Sequence, residues 1–508
     1  MNPKAPPDQA QFLRTDYLAA DLRARSVRNG AVTVVSTEIR FVVQMASTMM
    51  LSRLLTPEDF GLVAMVTAIT GFLSVFKDMG LATATIQCDD LTHCQLSTLF
   101  WVNAGINILF MVATVAIAPL LAMFYGEPRL FWITIVTGLG FLLGGLTVQH
   151  QALLRRQMRF TVLASIDTAS LAVGVTLAVI TAWLGAGYWA LVLSSLGMAL
   201  TTVPAVWLAC RWRPGLPRWE NMAGLLRFGG HLTIVEILMY LGSNIDNSLI
   251  GRFYGPGALG QYSRAYSLLL FPLQLIASPL ASVAMPALSR LRHEPARFRK
   301  ALLSMQQIIA LIMIPLAAFM IATADWLIRI VLGPQWEDAA QLFAILGLAA
   351  LTESLGNAGY CLLTAQGRTD RLLQWAMVAT IATVLGIFAG LPWGPHGVAI
   401  GYATTSLLIR TPLMFWIAGS VSSVRTSDFY RTMLPFLFAS IILLAGLAWF
   451  RRQVAITDPV LGLLGALVVA APIYLGLLWV FPSGRQAVLD LRDNLALLRR
   501  TVGRFSPE

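Results

Sequence analysis

Apolar runs of roughly twenty residues, separated by short polar connectors, recur from Gly30 to about Val480. A helix crossing the hydrocarbon core of a bilayer needs about 20 such residues. We count about fourteen runs, at 30–52, 60–82, 96–122, 130–150, 160–183, 187–209, 229–250, 263–287, 301–323, 339–364, 371–391, 397–418, 432–450 and 459–481. Strand-type alternation is absent and the runs are too long for barrel strands. The pattern therefore predicts an all-α integral membrane fold.

Several runs carry polar stripes at helical spacing. Thr33, Thr37, Arg40, Gln44 and Ser47 follow at steps of four and three, on one face of the first helix. Glu236, Tyr240, Ser243 and Asn247 share a face of the seventh, with Asp246 at its flank. Glu353, Asn357, Tyr360 and Thr364 align in the tenth. Arg264, Ser267, Ser278 and Ser282 cluster on one side of the eighth, and Thr67, Thr70, Ser74 and Lys77 align in the second. A charge in mid-span is costly in hydrocarbon, so it faces a protein interior or a water-filled cavity. Glu38 is two residues from Arg40, roughly 200° around the helix, and lies off that face.

The chain also repeats itself at an offset of 199 residues. Arg28, Gly30, Arg53, Pro57 and Gly61 match Arg227, Gly229, Arg252, Pro256 and Gly260. Six spans separate the copies, which predicts two pseudo-symmetric six-helix lobes related by an axis along the membrane normal, plus two accessory helices. The expected organisation is a cytoplasmic tail (1–29), an N-lobe (30–210), a cytoplasmic linker (211–228), a C-lobe (229–420), accessory spans (432–481) and a basic amphipathic tail (482–508). Two lobes leave a cleft, and rocking one against the other gives alternating access.

Composition agrees with a lipid solvent. Hydrophobic residues make up 57% and charged residues 12%, against about 25% charged in soluble domains; mean hydropathy is +0.71. The net charge of +11 is concentrated in alternate loops, roughly 28 basic positions on one side against about seven on the other, which predicts cytoplasmic termini. This bias reflects orientation and attraction to anionic headgroups, and no nucleic-acid platform accompanies it. The first 28 residues are polar, with Pro3, Pro6 and Pro7, and the apolar run after them is too long for a signal peptide, so a retained first span is expected. Cys88, Cys94, Cys210 and Cys361 suggest no disulfide framework. His93 beside Cys94 fits no zinc spacing, and no metal or cofactor is expected. A Walker-type phosphate loop is missing.

The chemistry of the stripes points to a polar, anionic passenger. Guanidinium groups bind phosphate oxygens bidentately, which makes Arg40 and Arg264 candidates for an anion site. Gln44, Tyr240, Asn244, Asn247, Asn357 and Arg252 are the other candidate cleft-lining residues. Glu38, Glu236, Asp246 and Glu353 are candidates for binding a coupling H+ or Na+.

The ordered set LSRLLTPEDFGLVAM (51–65), DMGLATATIQ (78–87), DLTHCQLSTLFWVN (90–103), FYGEP (124–128), RWRP (211–214), NIDNSLIGRFYG (244–255), LGQYSRAYSLLLFPLQLI (259–276), PALSRL (286–291), LGPQW (332–336) and LPWGPHGVAIGYA (391–403) resembles the Wzx-type oligosaccharide flippases. These belong to the polysaccharide transporter family of the multidrug/oligosaccharidyl-lipid/polysaccharide exporter superfamily, and the nearest branch is that of colanic-acid-like exopolysaccharides. The resemblance implies a fourteen-span fold in the bacterial inner membrane. It implies a polyprenyl-diphosphate-linked oligosaccharide as passenger, alternating access drawing on an ion gradient, and a polysaccharide polymerase and export machinery as partners. Asp246, Arg252 and Arg264 fall inside the matching stretches. A cation-coupled multidrug or small-molecule exporter on the same fold is the alternative; Arg40 and Arg264 argue against small cationic cargo. A membrane-embedded polymerase would need large external loops, which are missing.

Overall fold

The computed structural model describes residues 22–76, 82, 85–86, 92–217, 223–422, 424–454, 456, 458–480 and 484–485. The tail before residue 22, Lys77, Cys88 and the amphipathic stretch beyond residue 485 lie outside the described residues, as do the side chains of Thr33, Glu236, Ser278, Ser282 and Glu353. The described elements are all helical: α1 (Leu22–Leu54), α2 (Pro57–Val75), α3 (His93–Tyr125), α4 (Arg129–Gly145), α5 (Val148–Arg156), α6 (Phe160–Trp183), α7 (Trp189–Ala209), α8 (Ala223–Arg290), α9 (Pro295–Ala322), α10 (Ala324–Val331), α11 (Glu337–Ala365), α12 (Thr369–Gly390), α13 (Gly394–Thr405), α14 (Thr411–Val421), α15 (Thr426–Gln453) and α16 (Pro459–Val480).

Ten helical stretches among the described residues are long and apolar enough to cross a membrane. One of them, Thr369–Val421, is broken at Leu391–Trp393 and serves as two spans, α12 and the α13–α14 pair. The charged α1 and the two arms of α8, which part at Gly255, complete the fourteen-span plan. The chain divides into two compact units, Met1–Gly260 and Gln261–Glu508. This division falls inside α8, whereas the sequence places the lobe boundary at 211–228.

In the first unit, the repeat motif turns out to be a helix start used twice. Thr56 caps α2: its Oγ1 accepts the Asp59 backbone N–H at 3.3 Å, and Asp59 Oδ2 accepts the Thr56 N–H at 2.9 Å. This is a capping box with Pro57 in the first turn, where its missing N–H costs nothing. The repeat mate of Thr56 is Gly255, whose φ of 81° and ψ of 178° interrupt α8 just before Pro256. A positive φ suits glycine, so the second copy breaks its helix by backbone conformation where the first uses a side chain. The two starts meet. A Cβ on Gly61 would sink into the Pro256 carbonyl, and a Cβ on Gly260 into the Pro57 carbonyl. Matched residues thus face each other reciprocally, as a local two-fold demands.

The linker segment is tied down in the same unit. Trp212 is fully buried and donates from Nε1 to His93 Nδ1 at 3.1 Å, while Ser97 Oγ accepts the Gly215 N–H at 2.9 Å. His150 stacks on Trp207 at 4.5 Å and abuts Trp212. His93 is therefore engaged in packing.

In the second unit, α12 and α13 approach backbone to backbone through Gly386 and Gly390 against Gly401 and Gly397. Small residues four apart permit this closeness between helices in lipid. The accessory helices α15 and α16 are built into the unit. Leu443, Leu447, Ala466 and Ala470 share a core with Ala318 and Trp326, and Tyr474 donates to the Leu311 carbonyl at 2.8 Å. Arg451 lies 4.5 Å over the Trp326 ring and 2.6 Å from Asp325.

Arg299 anchors α15 to α9. Its Nε and Nη2 donate to Asp428 Oδ2 and Oδ1 at 3.0 and 2.9 Å, and Asp428 Oδ2 also accepts the Arg425 N–H at 2.9 Å. Asp428→Asn removes the bidentate pair and leaves the guanidinium without its carboxylate, so it is expected to melt lower than wild type, as read by thermal unfolding in detergent.

Candidate functional site

α1 carries Arg40 toward α6. Its Nη1 lies 3.1 Å from Asp167 Oδ2, with the two side chains 48% and 40% exposed. Asp167 is the one charged residue of the apolar run 160–183. A half-open ion pair at membrane depth is tolerated against water or a polar ligand and penalised against acyl chains. Arg40 is thus half-exposed and paired across to α6 within the first unit. Gln44, Thr37 and Glu38 are also exposed on α1, whereas Ser47 is buried. Asp167 escaped the sequence reading although its signal was the same as that of Arg40: an isolated charge inside an apolar run.

The stripe on the first arm of α8 divides by function. Tyr240 Oη lies 3.1 and 3.0 Å from the Thr67 and Ala68 carbonyls of α2, opposite Gly71, so it is a packing clamp. Asn244 donates to the Tyr240 carbonyl at 3.1 Å and to Ser243 Oγ at 3.1 Å. Asp246 is buried and its Oδ1 accepts the Asn247 N–H at 2.8 Å. Asn247 Oδ1 is buried without a hydrogen-bond partner among the described residues. Arg252, near the break at Gly255, is exposed and lies 5.6 Å from the Phe124 ring.

Arg264 and Asn357 belong to the second unit. Arg264 is half-buried on the second arm of α8. Asn357 is half-buried on α11, with Cys361 Sγ 3.9 Å from its Oδ1. Nearby in sequence, Tyr266 Oη meets Tyr402 Oη at 3.1 Å, and Arg410 lies 5.4 Å from the Tyr402 ring. Sequence periodicity did not join these three, because they come from three segments brought together only by folding.

A cavity of about 170 Å³ opens in the first unit, between α2, α4 and α7. Thr70, Ser74, Thr137, Gly140, Phe141 and Ser195 help line it. Thr70, Ser74 and Ser195 donate their hydroxyl protons to carbonyls of their own helices, at 3.0, 3.1 and 2.8 Å. Their remaining lone pairs are left to accept. Such a cavity has room for several waters or a small hydroxylated group.

A sequence profile of the family described as "Polysaccharide biosynthesis protein" matches residues 50–341, more than half of the chain. The chain is 28% identical to the teichuronic acid biosynthesis protein TuaB of Bacillus subtilis (strain 168), over 82% of this chain and 87% of that protein. It is 24% identical to the lipopolysaccharide biosynthesis protein WzxC of Escherichia coli (strain K12), over 78% of this chain and 81% of that protein. Among solved structures, the lipid II flippase MurJ in an inward closed conformation aligns with a TM-score of 0.71 at 13% identity, covering 87% of this chain and 97% of that one; this likeness is one of fold.

Proposed function

Because the chain belongs to the polysaccharide biosynthesis protein family, we propose that it is a flippase for polyprenyl-diphosphate-linked oligosaccharides. In this reading it sits in the bacterial inner membrane with both termini in the cytoplasm. It carries the sugar-bearing head from the cytoplasmic to the periplasmic leaflet by alternating access, coupled to H+ or Na+. Family membership also sides with a multi-pass membrane transporter over an enzyme. The observation that carries the anionic passenger is Arg40, a half-exposed cation in the apolar first run, paired with Asp167 of α6.

The physical need is plain. A diphosphate with a hydroxyl-rich head would lose its hydration in hydrocarbon. Guanidinium groups on a wet face replace part of that hydration, while the polyprenyl tail stays in lipid. On the first unit, Arg40 is the candidate for the diphosphate, and Gln44 and Asn247 offer amides to sugar hydroxyls; Arg264 and Asn357 are the corresponding candidates on the second unit. Asp246, Glu38, Glu236 and Glu353 remain the acids from which the coupling site is drawn.

Reconstitution tests this directly. In proteoliposomes, a lipid-diphosphate oligosaccharide with a labelled sugar should become accessible to a membrane-impermeant periodate or glycosidase far faster than in protein-free vesicles. Equal rates would defeat the proposal, and movement of small cationic dyes instead would favour the multidrug alternative. The hydroxyl-lined cavity gives a finer check. A Cβ on Gly140 meets open space, so Gly140→Leu should occupy the cavity without displacing backbone. We expect it to slow sugar-lipid transport several-fold at unchanged membrane abundance, measured in the same vesicles.

A further inference from the structure

The ion pair between Arg40 and Asp167 differs in kind from the pair between Arg299 and Asp428. Arg299 holds its carboxylate with two parallel bonds, and only 8% of the Asp428 side chain is exposed. Asp428 also accepts a backbone N–H. The carboxylate of that pair is buried and held by three bonds, although 46% of the Arg299 side chain is exposed. Arg40 and Asp167 share one contact among the described residues, Nη1 to Oδ2 at 3.1 Å, and 48% and 40% of their side chains lie open. The Nε and Nη2 side of the guanidinium fork is left for another ligand. A monodentate pair this open is weakly held, while a phosphate can take the fork bidentately and with greater charge.

We propose that Asp167 is a positioning residue that stands in for the passenger's phosphate on Arg40 and is displaced by it. This rests on the reading of Arg40 as an anion site. In the empty transporter, Asp167 neutralises a cation that would otherwise sit alone at membrane depth, where lone charges are penalised. It also keeps the guanidinium turned toward α6. An arriving diphosphate enters on the open Nε–Nη2 side, and its greater charge then draws the guanidinium off the single Nη1 contact, leaving the Asp167 carboxylate to the water on that face. The exchange involves no bond chemistry. It does have a structural consequence: α1 and α6 are tied at this level through residues 127 apart in sequence, and loading the site unties them. Asp167 thus links occupancy to the position of α1 and keeps Arg40 from holding its cargo too tightly to release it.

The test uses the purified full chain in detergent with farnesyl diphosphate as probe, followed by calorimetry. Asp167→Asn keeps the shape and removes the competing charge. It should bind about five- to tenfold tighter than wild type, while Arg40→Gln should bind at least tenfold more weakly. In the double variant the gain from Asp167→Asn should vanish, because it acts through Arg40. In vesicles, Asp167→Asn should lower KM for the lipid-diphosphate oligosaccharide and also lower kcat, whereas Asp167→Glu should restore both toward wild type. A purely structural aspartate would not produce that split. If Arg40→Gln weakens binding but Asp167→Asn binds no tighter than wild type, the displacement idea falls and the anion site stands. If Arg40→Gln binds like wild type, the anion site itself falls. Should Asp167→Asn fail to give a monodisperse protein, Asp167→Ser replaces it in the binding comparison, and tighter binding than wild type is again the result that displacement requires.

Discussion

Arg40→Ala is expected to cut export of the lipid-linked oligosaccharide by at least an order of magnitude while the protein still inserts and accumulates normally. Hydrogen bonds to charged groups contribute about 1.5–3 kcal/mol, so losing the guanidinium should cost roughly 10- to 150-fold in transport rate. The fold should tolerate the change because the Asp167 carboxylate left behind is 40% exposed and, on the proposed wet face, stays hydrated or takes up a proton. Arg40→Lys keeps the charge but not the planar fork, and should retain part of the rate. Initial translocation rates in proteoliposomes, normalised to reconstituted protein, provide the measurement. Wild-type rates for Arg40→Ala would remove this residue from the site.

The largest expected effect on stability lies at the crossing of the two repeat copies. Gly61 faces the Pro256 carbonyl and Gly260 faces the Pro57 carbonyl with no room for a Cβ. Overpacking typically costs about 1–3 kcal/mol when side chains can adjust. Here the obstacle is backbone in the first turn of a helix, so either the α2 start or the second arm of α8 must move. Gly61→Val and Gly260→Val should each reduce folded, monodisperse protein severely, and the alanine variants should lower the melting temperature by several degrees. Because both glycines serve one crossing, the double alanine variant should cost less than the two single effects added together. Melting curves of the three alanine variants in one detergent would decide this, and full additivity would mean that the two contacts are independent.

These two predictions rest on features legible in the sequence to different degrees. Arg40 stood out because a cation interrupts an apolar run at helical spacing. Its partner Asp167 gave the same local signal, yet pairing across 127 residues depends on how α1 and α6 pack. The 199-residue offset was visible as five matched Arg, Gly and Pro positions. Nothing in that offset said that the matched glycines and prolines would touch one another. Periodicity put Tyr240 and Asn247 on one face of α8, and the structure shows Tyr240 and Asn244 bonded to helix carbonyls. A hydroxyl or amide on a stripe meets whichever acceptor its neighbours provide, and periodicity does not say which.

The family motifs divide in the same way. LTPEDFG is a helix start that can be recognised from its capping chemistry, because a threonine, a proline and an acid at N-cap, N1 and N3 satisfy local backbone groups. In LPWGPHGVAIGYA, Gly394 has a local reason to be glycine, a φ of 74°, whereas Gly397 and Gly401 have none of that kind and are small because they meet Gly390 and Gly386 on the preceding helix.

Taken alone, the sequence determined the solvent, the helical class and the span count. Each follows from the cost of exposing backbone and charge to hydrocarbon, a cost every segment meets by itself. Tertiary structure alone decided which charges pair, where helices cross without side chains between them, and which hydroxyls are left facing a cavity. Those outcomes depend on distances between segments far apart in the chain, and short-range periodicity carries no information about them.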